Sequence, residues 1–304
     1  MSEISGRVPV GGPSKLAERL QEYGRLTRLG RPIGSLLLLW PTLWALWIAG
    51  RGSPDPYVVL VFFVGVFVMR SAGCVINDYA DREIDGHVKR TQDRPLPRGT
   101  VSEREALTLF VVLGLAAFAL VLTLNRLTLY LSFAGLALAA LYPFVKRYTH
   151  LPQLVLGVAF SWGIPMAYAA QADALPPVAW GLVAANWFWV LAYDTIYAMV
   201  DRDDDLRIGV KSTAILLGDF DRTAVALCHA AALAILWLIG LNGHFGEYYF
   251  GGLVAAAAFA VHQQWLIRRR ERDACFTAFL NNTWLGAAVF AGILLGYLQK
   301  AVSS

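Results

Sequence analysis

Cysteine and histidine are scarce, with three of one and five of the other, and neither shows metal-ligand spacing. A zinc site or a disulfide framework is therefore not expected, and Cys74, Cys228 and Cys275 read as small packing residues in or at the ends of apolar stretches. Charge is scarce too: Asp, Glu, Lys and Arg make up 16% of 304 residues against 57% hydrophobic residues, and mean hydropathy is +0.51. That balance excludes an ordinary soluble domain. Period-two alternation is missing, which argues against a membrane barrel. No A-x-A site follows the first apolar stretch, so no cleavable signal peptide is expected.

Long apolar windows are abundant. Nine candidate membrane spans fall at 33–50, 57–77, 105–124, 127–145, 151–170, 177–200, 223–241, 247–266 and 276–298. The expected fold class is an all-α integral membrane protein with about nine transmembrane helices. Residues 1–13, rich in Gly, Pro and Ser, are expected to be disordered. Residues 14–30 read as an interfacial amphipathic helix, with Leu16, Leu20, Tyr23 and Leu26 on one face and Ser14 as its N-cap. Residues 31–304 form a single transmembrane domain.

The net charge of +4 is distributed as a topology signal rather than a nucleic-acid surface. Lys and Arg number six before the first span, six at 82–104, two at 146–147, four at 202–222 and four at 268–272, which is 22 of 26. With the N-terminus in the cytoplasm, all 22 fall inside and the C-terminus outside.

Against this background two acidic motifs stand out. Asn77-Asp78-Tyr-Ala-Asp81-Arg-Glu-Ile-Asp85 follows the second span, and Asp194-Thr-Ile-Tyr197-Ala-Met-Val-Asp201-Arg-Asp-Asp-Asp205 follows the sixth. An ionisable residue at a bilayer centre costs about 2.5–3.5 kcal/mol on insertion scales, so such groups usually mark function. Asn77, Asp81 and Asp85 recur every fourth residue, as do Asp201 and Asp205, with Asp194 and Tyr197 on the same side. Each set forms one stripe on a helix. Two facing acidic stripes repel unless cations lie between them, and hard oxygen ligands suit Mg²⁺ and a phosphorylated substrate. Asp78, Glu83, Asp203 and Asp204 lie off the stripes and read as solvated.

Basic residues at the same face have two readings each. Lys89, Arg90 and Arg94, like Lys146, Arg147 and Lys211, are either topogenic charges or diphosphate contacts. Arg31 either snorkels to the interface or touches substrate. Arg70, inside the second span, either pairs with Asp194, caps a carbonyl, or binds an anionic co-substrate such as a carboxylate. Trp40, Trp44, Trp47, Trp187 and Trp189 read first as packing residues and second as the lining of a lipid-tail channel.

The two acidic motifs, with Tyr142-Pro143-x-x-Lys146-Arg147, resemble the UbiA superfamily of intramembrane prenyltransferases. Arg31-Pro32-Ile-Gly34 through Trp44-Ala45, Gly86-His87-Val88-Lys89-Arg90-Thr91, Arg94-Pro95-Leu96-Pro97 and Lys211-Ser212-Thr213-Ala214 look like its bacterial 4-hydroxybenzoate polyprenyltransferase branch. The likeness runs from about residue 25 to the C-terminus. It implies that the transmembrane helices form a prenyltransferase bundle around a central cavity, and that Mg²⁺ is held by Asp81, Asp85, Asp201 and Asp205, which would be the catalytic set. Arg31, Arg70, Asn77, Asp194, Tyr197, Tyr142, Lys146, Arg147, Lys89 and Lys211 would bind polyprenyl diphosphate and 4-hydroxybenzoate. It also implies a step of ubiquinone biosynthesis in the bacterial inner (cytoplasmic) membrane, with the site open to the cytoplasm. Other branches of the superfamily, with menaquinone, haem or lipid acceptors, share the acidic motifs. An ion-coupled transporter also uses intramembrane carboxylates, but at mid-membrane on broken helices.

Overall fold

In the computed structural model, residues 15–86, 91–145, 151–209 and 211–303 are described, and among them there is no strand. The helices are α1 (Lys15–Leu26), α2 (Ile33–Ala49), α3 (Pro56–Asp85), α4 (Glu103–Val121), α5 (Arg126–Val145) and α6 (Pro152–Ser161). They continue as α7 (Gly163–Ala172), α8 (Pro177–Ile208), α9 (Thr213–Leu217), α10 (Asp221–Asn242), α11 (Glu247–Leu266) and α12 (Arg272–Ser303). Residues 1–14, Lys89, Arg90, Lys146 and Arg147 lie outside the described residues, so the expectations placed on them are not addressed.

Six segments are long and apolar enough to cross a membrane: Pro56–Glu83, Glu103–Val121, Pro152–Ala172, Thr213–Asn242, Glu247–Arg269 and Arg272–Val302. The expected count of nine is not reached on length and composition. Ile33–Ala49 and Arg126–Tyr142 are shorter apolar helices. Helix α8 has 32 residues, but Asn186, Asp194 and three tryptophans dilute its apolar run. The span expected at 151–170 breaks into α6 and α7 at Trp162. Pro165 has no N–H to give the Ser161 carbonyl, and its ring crowds that oxygen, so the helix stops at Ser161 and restarts at Gly163.

The main core lies where α2, α8, α10, α11 and α12 meet. Trp44 and Trp189 are almost wholly buried and stack at 5.3 Å between centroids. The Trp44 indole donates to the Gly286 carbonyl at 3.1 Å, and the Trp189 indole donates to Asn282 at 2.8 Å. A Cβ on Gly286 would lie 2.6 Å from Trp189 and 2.7 Å from Trp40, so only glycine lets α12 approach this close. Trp187 fixes α8 to α6 through Leu154. These tryptophans therefore pack helices together. The three cysteines are free.

A second assembly closes one end. Ser102 and Glu105 form a capping box that starts α4. Glu105 also accepts from Arg19 at 2.6 Å and Tyr23 at 3.0 Å, and Glu22 accepts from the Thr100 hydroxyl at 2.6 Å. That hydroxyl holds the Glu22 carboxyl below its ordinary value. Helix α1 thus lies over the 91–101 loop, with Leu26 packed beside Val75, Leu96 and Val101, while Leu16 and Leu20 stay exposed. At the same end, Asp221 is fully buried between Arg202 at 3.1 Å and Arg270 at 2.8 Å, which fixes the turn after α8.

Candidate functional site

One cavity of about 1250 Å³ runs between α2, α3, α4, α5, the α6–α7 break and α8. Its head is polar, built from the α1–α2 turn, the second half of α3, the 91–101 loop and Asp194 and Tyr197 of α8. Its body is apolar, with Val111, Leu115 and Phe118 of α4 facing Phe133 and Leu136 of α5. A long lipid tail has room in the body, and a charged group has partners in the head.

Of the residues expected at the site, Arg31, Arg70, Asn77, Tyr142, Asp194 and Tyr197 all line this cavity. They come from α2's approach, α3, α5 and α8, so the fold unites positions more than 160 residues apart. Tyr142 of α5 shares this lining with Arg70 and Asn77 of α3 and with Asp194 and Tyr197 of α8. Tyr197 also packs on Phe279 of α12 at 4.7 Å between centroids.

Asp81 is 5% exposed, one turn past Asn77, and Asp201 is 9% exposed, two turns past Asp194. Asp205 is half-buried one turn further. The side chain of Asp85, the last residue of α3, lies outside the described residues. Among the described residues no three acidic, histidine or cysteine side chains gather into a metal-sized cluster. Asp81, Asp201 and Asp205 are not in the cavity lining, but the donor set suits a hard cation: Asp81 and Asp201 are buried carboxylates, with the neutral Asn77 amide one turn before Asp81.

Lys211 does not line the cavity. Its neighbours explain the local sequence instead. Ser212 caps α9 by accepting from the Ile215 N–H at 3.4 Å, and Thr213 meets Thr195 of α8 at 2.9 Å. Asp204, expected to be solvated, is 9% exposed and bound to Arg272 of α12 at 3.0 Å. Asp203 is exposed as expected.

Asp78 is the largest departure. Expected in solvent, it is 1% exposed and accepts from Arg28 at 2.5 Å and Arg94 at 3.0 Å. Stripe reasoning missed it because its partners lie on other segments, not on α3. Arg28, in the turn before Arg31-Pro32, had a signal only in the basic Arg25–Arg31 run. Trp162, which also lines the cavity, was passed over because the only signal for the helix break is Pro165, inside an otherwise uniform apolar window.

Arg70 has a specific neighbour. A Cβ on Gly34 would lie 2.3 Å from its Nε and 2.5 Å from Nη2, so the guanidinium rests directly on the glycine. Phe160 lies 6.0 Å from it on another side. Among the described residues Arg70 has no carboxylate partner within ion-pair distance, which sets aside pairing with Asp194. Gly34→Ala should therefore push the guanidinium aside while the flexible side chain spares the fold. The chain should insert with nearly unchanged thermal stability, and the Michaelis constant (KM) for whatever anion Arg70 holds should rise several-fold in a steady-state assay.

The model of the UbiA prenyltransferase family matches residues 38–297. The chain is 62% identical over 281 residues to a 4-hydroxybenzoate octaprenyltransferase of Aeromonas hydrophila, covering 92% of this chain and 98% of that one. It is 60% identical over 279 residues to the protein of the same description in Vibrio cholerae, covering 92% and 98%. Among solved structures it resembles a UbiA homolog from Aeropyrum pernix K1, with a TM-score of 0.75 and 28% identity over 86% of this chain and 97% of that one. A UbiA homolog from Archaeoglobus fulgidus bound to GPP and Mg²⁺ shares the fold at a TM-score of 0.70 and 16% identity, over 90% and 99%.

Proposed function

The chain belongs to the UbiA prenyltransferase family, and from that premise we propose how its cavity carries out the transfer. The enzyme moves a polyprenyl chain from an allylic polyprenyl diphosphate to the ring of 4-hydroxybenzoate, in ubiquinone biosynthesis, and releases diphosphate. The observation that carries the assignment of residues is the cavity itself: a cationic head joined to an apolar body along α4 and α5.

The donor places its diphosphate in the head and its tail in the body. Arg28, Arg31 and Arg94 line the head and donate to phosphate oxygens. Asp81, Asp85, Asp201 and Asp205 would hold Mg²⁺, which when bound supplies Lewis-acid neutralisation of the leaving diphosphate. Arg70, resting on Gly34, holds the acceptor carboxylate and so orients its ring, with Asn77 beside it on α3. The allylic C–O bond breaks, and the ring carbon ortho to the hydroxyl forms the new C–C bond to the allylic carbon. The ring proton leaves to a carboxylate, a diphosphate oxygen or water. Tyr142, Tyr193, Tyr197 and Phe279 line the same space, and their ring faces favour the developing allylic cation over water.

The chain is a bacterial membrane protein. We place it in the cytoplasmic membrane with α1 on the inner leaflet, where exposed Leu16 and Leu20 enter the interface. The cavity head then opens to the cytoplasm. A cysteine at Val302, 89% exposed, should react with an impermeant maleimide in intact cells, and one at exposed Gln92 should not. The reverse pattern would refute this orientation.

The function itself is tested by offering the purified protein one polyprenyl diphosphate and several aromatic or lipid acceptors. Prenylated 4-hydroxybenzoate should dominate the products. Preferential prenylation of a naphthoate, a haem or a glycerol lipid would assign the chain to another branch.

A further inference from the structure

Asp78, Arg28 and Arg94 form a unit that the metal and acceptor chemistry leaves unexplained. All three line the cavity head, and both guanidinium groups contact the same Oδ1 of Asp78. Tethering alone does not account for the arrangement. Helix α1 is already joined to the 91–101 loop and the start of α4 by Glu22 on Thr100, Arg25 on the Asp93 carbonyl, and Arg19 on Thr100 and Glu105. Metal binding does not account for it either. Two guanidinium groups on one carboxylate leave little attraction for a further cation, and the unit carries a net positive charge. Arg28 itself is the left-handed residue that closes α1, at φ 58°, with its N–H on the Arg25 carbonyl and the Leu29 N–H on the Gly24 carbonyl.

We propose that Asp78 is a positioning residue that holds Arg28 and Arg94 as a paired guanidinium clamp for the diphosphate of the donor. The proposal rests on the prenyl diphosphate reading of this cavity. A guanidinium presents five N–H donors in a planar fork, so the nitrogen fixed on Asp78 sets the plane of the others. With two forks fixed on one oxygen, their charges converge on the cavity head without having to be gathered when substrate arrives. Asp78 acts through the arginines and does not itself touch the reacting atoms.

The test is steady-state kinetics on the full-length protein, with Asp78→Asn, Arg28→Gln/Arg94→Gln and the triple variant compared. Asp78→Asn should raise the KM for the prenyl diphosphate roughly tenfold, the scale of a charge-assisted hydrogen bond, and leave the constant for the aromatic acceptor within about twofold. In the Arg28→Gln/Arg94→Gln background the same change should add nothing further. A fall in kcat with both KM values unchanged would overturn the proposal, as would a donor-KM penalty that persists without the arginines. If Asp78→Asn fails to accumulate, Arg28→Lys and Arg94→Lys decide. They keep the charge on Asp78 but lose the fork, so donor KM should rise, and an unchanged value overturns the clamp. Inorganic diphosphate without metal provides a readout independent of turnover. It should raise the thermal stability of the unaltered protein and not that of Asp78→Asn; equal protection of both would contradict the clamp. Absence of turnover by the unaltered protein would count against the prenyltransferase reading, while diphosphate protection would still decide the clamp.

Discussion

Asp81→Ala and Asp201→Ala should each lower turnover by a factor of at least about 10²–10³, the loss that follows removal of one charge-stabilising group from an active site. Both carboxylates are buried, on helices from opposite parts of the chain, each following a motif residue that lines the cavity, Asn77 and Asp194. The loss expected is that of the cation these carboxylates would hold against the departing diphosphate. The variants should still insert and fold, because neither residue belongs to the Trp44–Trp189 core or to the Asp221 network. Purified yield, thermal stability and turnover measured on the same preparation check this. Loss of turnover together with loss of folded protein would make the two aspartates structural instead.

Arg70→Ala should act on one substrate only. With the carboxylate reading of Arg70, the Michaelis constant for the hydroxybenzoate acceptor should rise roughly 10- to 150-fold, from about 1.5–3 kcal/mol for a hydrogen bond to a charged group. The constant for the prenyl diphosphate should stay nearly unchanged, because Arg28, Arg31 and Arg94 line the diphosphate end. Weakening of the prenyl substrate alone would move Arg70 to the diphosphate site. Unchanged kinetics with lowered thermal stability would make it a packing residue. The Gly34→Ala variant offers a second route to the same guanidinium, since it displaces the group without removing its charge.

Much of this site was legible in the sequence because helical periodicity is local. Recurrence every fourth residue put Asn77 and Asp81 on one face and Asp201 and Asp205 on another, with Asp194 and Tyr197 on the latter's side; Asn77, Asp194 and Tyr197 line the cavity, and Asp81, Asp201 and Asp205 do not. Arg70 stood out for the same reason: it was the only basic residue within its apolar run. Residues whose meaning lies in a partner on another segment were not legible. Asp78 and Asp204 looked like solvated neighbours of the stripes, yet Arg28, Arg94 and Arg272 bury them. Lys211, read as either a topogenic charge or a phosphate contact, is not in the cavity lining, and the Ser212 cap and the Thr213–Thr195 contact follow it in the chain. Spans were legible wherever apolar windows were uniform. The break at Trp162 depends on a single proline interrupting one hydrogen bond, which a hydropathy window averages away.

The most direct measurement is product formation by the purified protein from 4-hydroxybenzoate and a ladder of polyprenyl diphosphates, with and without divalent metal. Prenylated 4-hydroxybenzoate and an equal amount of diphosphate should form when Mg²⁺ is present, with no product in EDTA and recovery when Mg²⁺ is restored. Full turnover in metal-free buffer would contradict a metal-assisted departure of diphosphate.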